Sequence, residues 1–338
     1  MCNGIFILKR RSKLRYVYFN VAILLKRFIS TIFFICLTGG INYAQELFPH
    51  SEPASNIPKG VLGIRIANEG FNEITQFRSQ QNIRFMFGIT SKLMVTESFL
   101  FSNHHGFYFP SDFIKQDAEN GYYTNGVARG RKNLYQFESM NINIKYRFLS
   151  HDGEKQHFRM SGYLELAGGN EAHYEAEPSL SGDNSGLGMG ITATQLKNKF
   201  AVSLTIGGII PHKYHYQLND STLDVKYGNA LTAILSVGRL CLPAHYKSYN
   251  QTNINVYAEF VGKIYEGASV FDKGNNVNII NFPALNSGSY VEFRPSVQFI
   301  FHSNLRIDLS IGEPIINQSY AHIAPVYYFT IQRYFYFK

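Results

Sequence analysis

Phe158-Arg159-Met160-Ser161-Gly162-Tyr163-Leu164-Glu165-Leu166 puts an apolar residue or Gly on every even number and a polar residue or Tyr on every odd one. Successive side chains of a strand point to opposite faces, so this period of two predicts a strand with one apolar and one polar side. Met140 to Phe148 and Leu305 to Ile311 repeat the pattern, and Ile83 to Thr90 keeps it with Met86 as the one exception. Helical spacing is not sustained anywhere after residue 44. The pattern predicts strands near 60–68, 81–90, 93–102, 134–148, 157–169, 186–196, 199–210, 223–239, 253–265, 289–301, 304–312 and 324–337. That is twelve, an even number.

The connections alternate in length. Short ones fall at 91–92, 150–156, 197–198, 242–252 and 302–303, and long polar ones at 69–80, 103–133, 170–185, 211–222, 266–288 and 313–323. A soluble sandwich has no reason to put every long loop at one end, whereas a membrane barrel has short turns on one side and long loops on the other. In hydrocarbon every backbone N–H and C=O must be paired within the protein, so strands persist there only as a closed barrel. The expected fold is all-β, a closed antiparallel transmembrane barrel of about 12 strands.

Composition agrees. Of 338 residues 45% are hydrophobic and 17% charged, which excludes a disordered chain, and mean hydropathy is −0.14 despite 28 Phe and 23 Tyr. Strict alternation produces that balance. The formal charge of +8 suggests nucleic acid until it is located: Lys9, Arg10, Arg11, Lys13, Arg15, Lys26 and Arg27 all precede residue 45, where no acid occurs. The remainder holds 25 bases against 24 acids, so no nucleic-acid partner is expected. Cys2 and Cys36 also lie in this leader, leaving Cys241 alone in 45–338 and no Cys-rich zinc site there. Lys26-Arg27, the apolar run Phe28 to Leu37 and the small residues up to Ala44 form a secretory signal, with cleavage after Ala44. The domain reading is 1–44 signal peptide, 45–58 periplasmic N-terminal segment and 59–338 barrel.

Tyr327-Tyr328-Phe329-Thr330-Ile331-Gln332-Arg333-Tyr334-Phe335-Tyr336-Phe337-Lys338 resembles the closing strand of bacterial outer-membrane barrels, although the aromatic Phe337 is penultimate rather than last. With the signal peptide, the exported chain resembles porin-like outer-membrane barrels of Gram-negative bacteria, most closely the Bacteroidetes type. The resemblance implies the outer membrane as location and its lipid as surroundings. It also implies handling by the barrel-assembly machinery through the C-terminal strand, and passage of small solutes.

Turning the aliphatic positions outward turns Arg65, Arg84, Lys145, Arg147, Arg159, Lys226, Lys263, Arg294 and Arg306 inward, with Glu165, Asp224, Glu259, Glu292 and Asp308. Nine bases against five acids describe either a pore wall slightly favouring anions or a filled lumen in which opposite charges pair. Three other features carry chemically active residue types. Glu171 to Glu177, with His173 and Asp183, has metal-ligating residue types but reads as a solvated acidic loop. His212 and His215 form only a bare His pair. Ser102 and His104 share a strand face, as a lipid hydrolase needs, but no orienting acid accompanies them. The expectation is a channel or transporter, with a non-conducting structural or adhesion barrel as alternative and a lipid-modifying hydrolase behind it. No enzyme activity, cofactor or metal is expected.

Overall fold

On the last strand, alternation in sequence becomes alternation in space: Tyr327, Phe329, Ile331 and Phe335 are exposed, while Val326, Tyr328, Thr330, Gln332 and Tyr334 are buried. The computed structural model describes residues 48–72, 77–103, 135–169, 177–182, 184–218, 221–245, 251–280 and 282–336. The leader and nearly all of the expected loop 103–133 lie outside them.

In chain order the strands are β1 (Val61–Asn72), β2 (Phe77–Gly88), β3 (Leu93–Ser102), β4 (Gln136–Asp152), β5 (Gln156–Gly169), β6 (Gly186–Lys197), β7 (Phe200–Pro211), β8 (Lys213–Leu218) and β9 (Ser221–Lys226). After them come β10 (Ala230–Leu242), β11 (Asn253–Tyr265), β12 (Ser269–Asp272), β13 (Asn275–Asn276), β14 (Gly288–Phe301), β15 (Leu305–Asn317) and β16 (Val326–Tyr336). Twelve of them close an antiparallel barrel, the first strand pairing with the last from Val61↔Tyr336 to Phe71↔Val326. Closure leaves no unpaired edge, which is the condition for strands in hydrocarbon.

The outer wall carries Leu164, Met189, Ile191, Leu204, Ile206 and Leu231, each more than two-fifths exposed. A soluble protein does not present an apolar band of this extent to water. Glu97 is the exception midway along β3, facing outward between Phe85 of β2 and Ile142 of β4.

β8, β9, β12 and β13 are not part of the wall. They form a separate four-stranded sheet at the long-loop end, with its own core of Tyr214, Tyr216, Leu223, Val225, Tyr227, Val270 and Phe282. The expected strand 223–239 is therefore two strands. Alternation runs through both, but the break falls at Gly228, where an added Cβ would lie 1.9 Å from the carbonyl oxygen of Glu266. Only glycine lets the two backbones approach so closely, and Glu266 N–H donates to Asn229 O at 3.0 Å.

Residues 48–58, the described part of the expected N-terminal segment 45–58, run along the inner wall of the barrel. Phe48 is buried against Leu196, Ala201 and Tyr257, and Ile57 packs with Val61, Met86 and Tyr334. The physical cause is legible in the segment itself. Pro49, Pro53 and Pro58 prevent it from forming a helix or a strand, and its remaining donors find acceptors on the wall.

Candidate functional site

The inner segment is tied down along its length. His50 N–H and Ser51 N–H both donate to the Glu259 carboxylate at 3.0 Å, and Ser236 Oγ donates to the same group at 2.8 Å. Ala54 N–H donates to Thr194 Oγ1 at 2.9 Å. Arg65 donates to the Pro49 carbonyl. Arg84 Nη1 donates to Glu52 Oε1 at 2.7 Å, and Lys145 Nζ to the carbonyls of Pro53 and Ser55 at 2.8 and 2.9 Å. Arg159 Nη1 reaches Ser55 Oγ at 2.9 Å and also pairs with Asp152. Wall residues chosen by alternation thus converge on one stretch of eleven residues that no barrel pattern foretells.

Burial acts against ionisation of Glu52, but Lys145, Arg84 and Arg65 outweigh it and hold the carboxyl below its ordinary range. His50 is driven well below its ordinary value, first by burial and then by Arg294 and Arg65. Its ring stays neutral, with Nε2 2.9 Å from Ser310 Oγ and its edge against Tyr328.

A second group of residues enters from the long-loop end. Lys263 donates to Glu177 and to the Pro178 carbonyl, Tyr290 OH donates to Glu177 at 2.7 Å, and His322 Nδ1 lies 3.3 Å from Glu177 Oε2. His322 Nε2 lies 3.0 Å from Glu292, its ring is stacked on Tyr290 at 3.7 Å, and Glu292 holds Arg294 at 2.7 Å. Deeper still, Asn141 donates to Glu165 and to the Leu180 carbonyl. Between residues 49–52 on one side and 177–182 with 321–323 on the other lies a cavity of about 460 Å³. That is within the range of small-molecule sites.

Arg306 is buried in the lumen, donating to Tyr334 OH at 2.7 Å, and Asp308 is 4.0 Å from Arg65. Arg147 sits at the short-turn rim and donates to Ser91 O at 2.9 Å. Asp224 and Lys226 belong to β9 and not to the barrel wall, and Asp224 pairs there with Lys213 and His215. Glu52, Glu69 and Glu177 line the cavity without having been chosen, so the eight wall bases that remain face seven acids. The expected anionic preference rests on a count of the wall alone.

Ser102 is fully buried and turned inward, whereas His104 lies outside the described residues. Of the acidic loop only Glu177 is described, and it is a lumen ligand of Lys263. Among the described residues no three His, Cys, Asp or Glu are grouped as a metal site.

The Glu177–His322 contact has a calculable pH response. Burial pushes the Glu177 carboxyl up, but Lys263 and His322 overcome it and bring it down to about 2. Burial lowers His322, yet its bonds to Glu177 and Glu292 prevail and raise it above its ordinary value. A raised His stabilises below its unfolded pKa and loses its contribution as pH rises through the folded one. A depressed carboxyl loses its contribution only as pH falls toward 2. The contact should therefore persist in mild acid and loosen in alkali. Amide exchange over 177–182 should be several-fold faster at pH 9 than at pH 6 once corrected for the intrinsic rate. Glu177→Gln should remove that difference, and equal protection at both pH values in the unaltered chain would contradict it.

No family model and no curated protein matches the chain. Among solved structures, an outer membrane channel from Pseudomonas putida aligns with a TM-score of 0.52 at 10% identity, covering 86% of this chain and 100% of that one. The KdgM porin aligns with a TM-score of 0.40 at 8% identity, covering 81% and 99%. LpxR from Salmonella typhimurium gives 0.33 at 9%, covering 82% and 100%. The similarity to the Pseudomonas channel is one of fold. The chain has the architecture of outer-membrane β-barrels.

Proposed function

We propose that this protein is an outer-membrane channel for small solutes, closed at its short-turn end by residues 48–58. The carrying observation is the cavity of about 460 Å³ inside a closed barrel, bounded by a segment held through hydrogen bonds rather than by barrel strands. Such a segment is displaced without breaking the wall. Export through the 1–44 signal and insertion through the C-terminal strand belong to the same reading. A lipid hydrolase fits less well, because Ser102 is fully buried and faces the lumen while a lipid substrate approaches from outside. The alternative, a permanently filled structural barrel, is favoured by the number of charged groups that 48–58 neutralises.

Single-channel recording in planar bilayers tests the reading. The full chain should give brief, infrequent steps, and shortening the inner segment should lengthen them. For orientation, a Cys at Asn275, in a chain with Cys241→Ser, should react with an impermeant reagent on intact cells. Labelling only after lysis would place β13 on the other side.

A further inference from the structure

The charge in the lumen is not spread evenly. Inward positions of three consecutive barrel strands carry no ionisable group: Gly188, Gly190, Thr192 and Thr194 on β6; Ser203, Thr205, Gly207 and Ile209 on β7; Thr232, Ile234 and Ser236 on β10. The charged residues lie on the remaining wall and are already engaged. Arg84 has Glu52, Lys263 has Glu177, Arg294 has Glu292, and Lys145 holds two carbonyls.

Tyr163 stands at the edge of this uncharged wall and faces the cavity. Its ring lies against two glycines: a Cβ on Gly190 would fall 2.6 Å from the ring, and one on Gly207 would fall 2.1 Å from the hydroxyl. Five other inward tyrosines are hydrogen-bonded through their hydroxyls, Tyr257 to Gln298, Tyr265 to Ser319, Tyr290 to Glu177, Tyr328 to Glu292 and Tyr334 to Arg306. Tyr163 has no hydrogen-bond partner and no second ring or cation over it among the described residues. Tyr163 is half-buried, and its hydroxyl would take a partner from its open side. Here the space that would hold one is the cavity.

We propose that the cavity binds a small, uncharged, hydroxyl-rich solute of mono- or disaccharide size, stacked on Tyr163 and hydrogen-bonded by Thr192, Thr205 and Thr232. This deepens the channel reading and rests on it. An anion would have to break an existing ion pair to be received, and a cation would have to take Glu165 from the Asn141 amide that donates to it. Thr192 and Thr205 share one hydrogen bond at 3.0 Å and Thr232 donates to Gly207 O at 3.3 Å, which leaves hydroxyl capacity that an apolar solute would cover without satisfying. A sugar meets both requirements: its hydroxyls pair with the threonines, and its C–H face covers the aromatic ring.

The test is equilibrium dialysis of radiolabelled maltose against the folded full chain in detergent micelles, with gluconate and glucosamine as charged competitors. Binding should be saturable and unaffected by either competitor at equal concentration. Tyr163→Ala should weaken it about tenfold or more, and Tyr163→Phe, which keeps the ring, by only a few-fold. Should Tyr163→Ala fold poorly, Gly207→Ala serves instead, because its methyl must push the Tyr163 hydroxyl from its seat and weaken binding. Absence of saturable maltose binding, or competition by gluconate or glucosamine as strong as by maltose itself, overturns the proposal. Conductance is measured separately. A conducting barrel without maltose binding defeats only this inference, and a maltose-binding barrel that never conducts defeats only the channel reading.

Discussion

Deleting residues 46–56 should turn an intermittently conducting barrel into one with long-lived open steps, the largest functional change expected of any alteration here. Ile57 and Pro58 are kept because Ile57 packs with Val61, Met86 and Tyr334, and Val61 N–H donates to Pro58 O at 3.2 Å. Those contacts seat the first barrel strand. What is lost is the group of hydrogen bonds to Glu259, Arg65, Arg84 and Lys145, whose charges then face water instead of peptide. Their hydration in an opened lumen offsets much of the loss, so the barrel should still assemble. Glu259→Gln is the milder version. It keeps an acceptor for His50 and Ser51 but removes the negative charge, and hydrogen bonds to charged groups are worth about 1.5–3 kcal/mol against about 1 for neutral ones. Each 1.4 kcal/mol shifts the closed-to-open ratio about tenfold. Open probability should rise by roughly that factor at unchanged step size. If both variants fold and neither conducts, the lumen is filled by more than residues 48–58, and the structural-barrel alternative gains.

The wall was legible in the sequence because its physics is local. A residue on a strand has two choices of face, and membrane and lumen demand opposite chemistry, so Arg84 and Ile83, or Glu165 and Leu164, declare themselves by adjacency. The same rule misplaced Asp224 and Lys226, since alternation belongs to any half-buried strand, and β9 packs its apolar face on a loop core rather than on lipid. Gly228 carried the only local sign of the break. The interior filling was not legible for a different reason. Residues 48–58 have no period, and their fit depends on Glu259, Thr194 and Arg159, up to more than two hundred residues away. A signal did exist: three prolines with one acid, next to a wall with surplus bases. A lumen with more bases than acids asks where the compensating carboxylates are, and Glu52 and Glu177 are the answer.

The second large effect is on folding and concerns neighbouring residues on one strand. Leu164 is 41% exposed on the outer face, paired with Ile144 of β4 and Met189 of β6, which are exposed as well. Leu164→Arg puts a guanidinium into that apolar band, at a cost of ~2–4 kcal/mol near the bilayer midplane and less toward an interface. Urea-dependent refolding into lipid bilayers should therefore show a folded-to-unfolded ratio reduced by roughly 30- to 1000-fold at fixed urea. Glu165 faces the cavity, where Asn141 donates to it. Glu165→Gln keeps an oxygen for Asn141 and changes only the charge, so its refolding curve should lie close to that of the unaltered chain. Combined with the 46–56 deletion it should move ion selectivity toward anions. The pair separates two kinds of error. A Leu164→Arg barrel as stable as the original would mean that the outer face does not meet hydrocarbon. A Glu165→Gln barrel less stable than Leu164→Arg would mean that the charges on the inner wall, rather than the apolar belt, hold the barrel closed.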